Sequence, residues 1–307
     1  MNASYLSWLP ESRSLFAVAT TQDKSPLLNA YQWNTSTQSF DLSQSLGLEG
    51  RGICHINTNK ARTKLAIANY SSGDFQLFDI SDGSLKNKAV FKNTGKSITK
   101  RQTSPHAHYV GWGRGSRYLY ATDLGTDEIL VFDTSTDDFS PIQRVKADAG
   151  DGPRHLDFHP SLGIVYSLNE LSNSISIFSS HKETGYLSLL DKVYLSPKQQ
   201  KGVTNTASAI RISKQGNYVY VAVRGENMIY GLKITPDGRL SIVNKVSSGG
   251  NHPRDFNFSP NEDYLMVANQ RSNQLNVVKR DENTGRLFAT DVALSIVTPS
   301  FVQAFGN

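Results

Sequence analysis

GPRHLDFHPSLGIVYSLNELSNSISIF, residues 152–178, is the stretch whose reading decides the fold. It predicts three short strands, His155 to Phe158, Ile164 to Leu168 and Ser174 to Phe178, with a turn at His159-Pro160 between the first two. Arg154 stands at the upstream edge of the first strand and Glu170 at the downstream edge of the second. Antiparallel strands joined by a tight turn bring those edges to one end of the sheet, and the chemistry is expected there.

Working outward from Arg154, the same pattern recurs at Ser4, Cys54, His108, Arg154, Ser208, Arg254 and Ser300, at spacings of 50, 54, 46, 54, 46 and 46. Fifteen residues after each of the first six anchors stands the end of a second strand: Ala19, Asn69, Asp123, Asn169, Val223 and Asn269. That offset never changes, so the first hairpin is specified alike in all six copies. Twelve residues after the anchor the column is Phe16, Ala66, Tyr120, Tyr166, Tyr220 and Met266, mostly bulky and apolar. Length varies only further on, as in Lys182 to Thr204, with Leu187 to Tyr194 expected as a fourth strand. Several short strands per unit at a period near 50 residues predict a β-propeller. No long helical periodicity and no linker interrupt it, so residues 1–307 are expected to form one all-β domain. Seven anchors imply a seven-bladed β-propeller whose seventh blade is incomplete. Its N-terminal strands are absent, and Pro299 to Phe305 leaves room for one strand only.

The composition narrows the function classes. A single cysteine, Cys54, rules out an internal disulfide framework and a cysteine-based zinc site, which points to a reducing, cytoplasmic compartment. No apolar run is long enough for a membrane span, and no signal pattern opens the chain. The formal charge of +5 is scattered, and Lys96 to Arg101 and Lys198 to Lys201 read as solvated loops, so neither a nucleic-acid nor a membrane partner is expected. The oligomeric state is not legible.

In a repeat, scaffold demands are shared by every copy, so a residue peculiar to one copy needs another reason. Two before the anchor the column reads Asn2, Gly52, His106, Gly152, Thr206 and His252; sixteen after it, Thr20, Tyr70, Leu124, Glu170, Arg224 and Gln270. The candidates are therefore His106, His108, Arg154, His155, Glu170, Arg224, His252 and Arg254, expected to face one another around a central channel. Histidine titrates near neutral pH, a carboxylate can orient it, and arginines hold carboxylate or phosphate and stabilise a developing oxyanion. Arg154 and Arg254 read equally well as ties between blades, with Asp157 or Asp255 as partners. His106 and His108, two apart on a strand, can point the same way, but no third ligand follows at a recognisable spacing, and no metal is expected. Cys54 reads as inert core, His181 as a loop residue, and the Asn69, Asn169 and Asn269 column as structural.

The segments GPRHLDFHP (152–160), SLNELSNSISIF (167–178), ANYSSG (68–73), SPHAHYV (104–110), DLGTDEILVF (123–132), NHPRDFNFSP (251–260) and ANQRSN (268–273) resemble the lactonase family of seven-bladed propellers. Its members include the propeller-type 6-phosphogluconolactonase and the fungal 3-carboxy-cis,cis-muconate lactonizing enzyme. The likeness runs from about residue 2 to the C-terminus. It departs from the family where GICH stands at 52–55 in place of the commoner GPCH. The resemblance implies a metal-free cleft whose catalytic residues fall on His106, Arg154, Glu170 and Arg224; the columns add His108, His155, His252 and Arg254 as expected substrate-binding residues, and no cofactor is expected. The function it implies is hydrolysis of a small anionic lactone, most readily 6-phosphogluconolactone, by metal-free general acid/base chemistry. His106 would be the base and Glu170 its proton partner or orienting group. The alternatives are the muconate cycloisomerase reaction and a propeller that binds without catalysis.

Overall fold

The strands expected around Arg154 form at Pro153–Phe158, Ile164–Asn169 and Ser174–Ser180, and Leu187–Tyr194 completes a four-stranded antiparallel sheet in sequential order. The computed structural model describes residues 2–22, 25–196, 199–200 and 202–304; the expected loop lysines Lys198 and Lys201 lie outside them. The chain divides into two compact units, Met1–Gly152 and Pro153–Asn307. The first holds sheets over 2–47, 53–92 and 107–146, and the second holds sheets over 153–194, 206–247 and 253–295. Within each unit the first strands of successive sheets lie against one another, so each sheet enters the stack by its first edge. A two-stranded ladder, Gln199–Gln200 with Val203–Thr204, occupies the long connection after the fourth sheet.

The constant fifteen-residue offset has a physical cause. In all six sheets the register between the first two strands slips by one residue, and the residue left over is the anchor: Ser4, Cys54, His108, Arg154, Ser208 and Arg254. The residue before each anchor pairs with the end of the second strand, as Pro153 does with Asn169. Such a β-bulge re-aims one side chain out of the alternating pattern. Three copies use that side chain as a tie. Ser208 Oγ donates to Ala222 O in its own sheet (3.2 Å) and to Pro253 O in the next (2.6 Å). Ser4 Oγ reaches Val18 O and Ile53 O at 3.4 and 3.0 Å, and Cys54 Sγ lies 3.7 and 3.5 Å from Ala68 O and Ala107 O.

The core fills the space between neighbouring sheets. Second strands are buried on both faces, as in Tyr218–Arg224, whereas fourth strands alternate towards solvent. Tyr166 and Tyr220, from the bulky column, are wholly buried, and each hydroxyl donates to a glycine carbonyl of the next sheet, Gly238 at 2.8 Å and Gly285 at 3.1 Å. Those bonds meet the demand that a buried hydroxyl be paired. The asparagine column is structural as expected, but it bonds mostly to third-strand side chains: Asn169 Nδ2 donates to Ser174 Oγ and Ser176 Oγ, both at 2.9 Å.

The lone strand expected at 299–305 does not form among its described residues, 299–304. The segment runs beside the first strand of the sixth sheet on two side-chain bonds, Val302 N to Asp255 Oδ2 (3.4 Å) and Asn257 Nδ2 to Val302 O (3.3 Å).

Candidate functional site

In the second unit the bulge turns Arg154 towards the end of the second strand, where Glu170 follows the last paired residue, Asn169. Arg154 Nε donates to Glu170 Oε2 at 3.0 Å, and Arg224 Nη2, at the matching point of the next sheet, reaches the same oxygen at 2.9 Å. The side chains are 3% (Arg154), 3% (Glu170) and 8% (Arg224) exposed. Two buried guanidinium groups thus share one carboxylate oxygen. The backbone holds both in place: Arg154 Nη1 donates to Ser208 O, and Arg224 donates to Thr206 O (3.2 Å) and Ala207 O (3.0 Å). Gly225, at φ +94°, makes the turn after Arg224 possible, since a Cβ there would meet Thr204 O at 2.4 Å.

His155 is buried with Nε2 3.0 Å from Arg154 Nη1, so it backs the guanidinium. His252 is half-buried at a left-handed turn (φ +65°), its N–H donating to Asn227 Oδ1 at 2.9 Å. Burial first, and then the positive fields of Arg224, Arg271 and Arg254, push its pKa down to about 4 against a pull from Glu170. His252 therefore stands neutral at pH 7 among cations, a setting for an anionic group. Arg254 is half-buried on the sixth bulge and takes part in that field.

The tie reading, with Asp157 or Asp255 as partners, is met in part: Arg154 reaches Ser208 O in the next sheet and its charge pulls the Asp255 carboxyl down. Asp255 Oδ1 accepts from Arg211 Nη2 at 3.1 Å, and Asp157 Oδ2 accepts from Ile212 N at 2.7 Å. Burial raises both carboxyls, Asp157 to about 6, with Arg211 pulling the other way. These acids and Arg211 form a charged row along the first strands, and Arg154 acts on it through Asp255.

The first unit holds the other two histidines. They do not share a strand face: the strand begins at Ala107, leaving His106 ahead of it, and His108 is the bulge residue. His106 is held on three sides. Its N–H donates to Asp123 Oδ1 at 2.8 Å, its Nδ1 lies 3.0 Å from Tyr70 O, and its ring stacks on Tyr70 at 4.4 Å and 6°. A carbonyl can only accept, so Nδ1 carries the proton and Nε2 of the neutral ring keeps its lone pair. The Tyr70 carbonyl thus orients the His106 ring. His108 is buried and meets Tyr70 edge-on at 5.5 Å. Gly125 is required beside His106, because a Cβ there would lie 1.9 Å from Ser104 O and 2.8 Å from His106 N.

Four of the candidates are therefore linked in one run of contacts, His155 to Arg154 to Glu170 to Arg224; His252 and Arg254 share their electrostatic field, and His106 and His108 meet at Tyr70. The residues that sequence reasoning passed over are Tyr70, Asp123 and Arg271. Tyr70 carried a signal, since it occupies the very column that singled out Glu170 and Arg224.

Residues 1–304 match the family model described as Lactonase, 7-bladed beta-propeller. A Bacillus subtilis (strain 168) protein named 6-phosphogluconolactonase is 29% identical over 305 residues, covering 98% of this chain and 87% of its own. An uncharacterised protein of Lactococcus lactis subsp. cremoris is 35% identical over 241 residues, 78% of this chain and 70% of its own. Among solved structures, a periplasmic gluconolactonase of Pseudomonas aeruginosa superposes with a TM-score of 0.89 at 28% identity, over 98% of this chain and 87% of that one. Among the described residues no helix is long and apolar enough to cross a membrane.

Proposed function

This chain belongs to the Lactonase, 7-bladed beta-propeller family, and from that premise we propose that it is a lactone hydrolase acting on 6-phosphogluconolactone in the cytoplasm. The observation that carries the reading is the shared Glu170 oxygen, which holds two arginines side by side in a buried setting. His106 Nε2 takes a proton from water as the water attacks the lactone carbonyl. The family resemblance gives Arg154 and Arg224 the role of bearing the charge that the carbonyl oxygen gains, and within the second unit their N–H donors lie in a buried setting where such bonds act strongly. The tetrahedral intermediate collapses by breaking the ring C–O bond, and the His106 proton passes to the departing alkoxide. The products are a free hydroxyl and a carboxylic acid, which gives its proton to solvent and leaves as the carboxylate. Glu170 keeps the two guanidinium groups fixed while the charge develops. His252 and Arg254 contact the substrate, and His108 and His155 support the residues in front of them. We read 299–304 as belonging to a seventh blade.

Purified protein should hydrolyse 6-phosphogluconolactone above the spontaneous background, followed by coupling 6-phosphogluconate to its dehydrogenase. No excess rate would set this function aside in favour of a binding propeller.

A further inference from the structure

Resting on that reading, we propose that Arg101, held on the Tyr70 hydroxyl, recognises the phosphate monoester of the substrate. One aromatic side chain joins the two groups. The face of Tyr70 stacks on His106 at 4.4 Å, and its hydroxyl accepts from Arg101 Nη2 at 2.8 Å. The width of a phenol therefore sets the spacing between the base and the guanidinium. A phosphorylated sugar lactone has the same layout, with a reacting carbonyl at one end and a dianion at the other.

The loop that carries Arg101 is built, although its sequence reads as solvent-facing. Its neighbour Gln102 is wholly buried and donates through Nε2 to Leu124 O (2.9 Å) and Asp127 Oδ1 (2.6 Å). The Gln102 backbone closes the loop on Ser97 and Thr99, both at 2.9 Å. Asp127 in turn holds the N–H groups of Gly150 and Gly152, at 2.8 and 2.7 Å. Arg101 is thus an exposed cation on a pinned backbone. Its planar fork presents N–H donors in a fixed geometry, and such a fork suits phosphate better than an ammonium does.

The test compares kcat/KM for 6-phosphogluconolactone with kcat/KM for unphosphorylated glucono-δ-lactone. In Arg101→Gln the ratio should fall about ten- to a hundredfold, the worth of a charge-assisted contact. Arg101→Lys should fall between, and Tyr70→Phe, which keeps the ring on His106 but removes the hydroxyl that accepts from Arg101, should lower the ratio severalfold. A ratio unchanged in Arg101→Gln overturns the inference and leaves the hydrolase reading standing. Hydrolysis of neither lactone by the parent protein defeats the hydrolase reading instead. Calorimetry then decides Arg101 by itself: a preference for 6-phosphogluconate over gluconate that is lost in Arg101→Gln supports the assignment, and a preference that survives, or none in the parent, overturns it.

Discussion

Replacing Glu170 by Gln tests the centre of the site, because it removes one charge and almost no volume. In the parent, one carboxylate oxygen accepts from Arg154 Nε at 3.0 Å and Arg224 Nη2 at 2.9 Å, and none of the three side chains is more than 8% exposed. Breaking a buried ion pair by removing one partner costs about 3–5 kcal/mol, most of it the penalty on the charge left behind. Gln retains a neutral carbonyl that can still accept one of the two bonds, which places Glu170→Gln near 3 kcal/mol and Glu170→Ala nearer 5. For a cooperative unit of 150–250 residues this corresponds to a fall of roughly 6–20 °C in melting temperature. Two unneutralised guanidinium groups should also attract an anion. Phosphate should therefore restabilise Glu170→Gln more than it stabilises the parent, by about 2.7 kcal/mol at a hundred times its Kd. Differential scanning calorimetry across a phosphate series measures both effects. If Glu170→Gln melts within about 0.5 kcal/mol of the parent and ignores phosphate, the carboxylate is not what holds the arginines, and their oxyanion role falls with it.

Three further outcomes follow from particular contacts. His106→Ala should lower kcat for 6-phosphogluconolactone by about 10²–10⁴-fold while denaturant unfolding shifts by no more than about 1 kcal/mol; full turnover would remove His106 from the mechanism. His252 has a folded pKa of about 4 against an ordinary 6.5, so the folded state binds fewer protons than the unfolded state between those values. The stability it contributes is complete above pH 6.5 and drains away as pH falls towards 4, by about 1–2 kcal/mol after allowing for its partial exposure. His252→Gln should flatten that acid limb in urea titrations at pH 7, 5.5 and 4, and an identical limb would refute the assignment. Cys54→Ser should unfold within about 1 kcal/mol of the parent, because Ser4 and Ser208 make the same two carbonyl contacts from the same bulge; Cys54→Ala, which makes neither, should be the less stable of the two variants, by about 1 kcal/mol.

What could be read from the residues, and what could not, divides along a physical line. Strand positions were legible because alternation and turn residues are local properties, and Leu187–Tyr194 forms over the expected residues. The fixed offset of fifteen was visible, but its cause was not. A bulge is a statement about pairing between two strands, and no residue type marks it. The same blindness produced the error at His106 and His108, where strict alternation was assumed across a position that breaks it. Arg154, Glu170 and Arg224 were found because each departs from its column, and the structure brings them together. Tyr70 departs from that column too, yet an aromatic residue reads as core until its stacking partner is known, and stacking is tertiary geometry. That Asp255 bonds to Arg211 and Asp157 to Ile212 N likewise depended on where the neighbouring first strand places them.

The bulge also explains how one repeated sheet accommodates chemistry without unfolding. Each copy has one side chain turned out of the pleat at the same end. Where that side chain is Ser or Cys, it ties its sheet to the carbonyl just before the next bulge. Arg154 does something intermediate: its guanidinium reaches Ser208 O in the next sheet and still presents Nε to Glu170. A long side chain with several donors can meet the scaffold's demand and the site's demand at once, whereas a hydroxyl can meet only the first. Arginine at a bulge is therefore the substitution by which a structural column becomes a functional one. By that reasoning, Arg154→Ser should keep the tie and most of the stability that it supplies. It should also leave Glu170 to Arg224 alone and abolish the oxyanion contact, so kcat falls about a hundred- to a thousandfold, as when one oxyanion-hole donor is lost. A serine variant that turns over like the parent would show that the bulge side chain serves the scaffold in this copy as in the others.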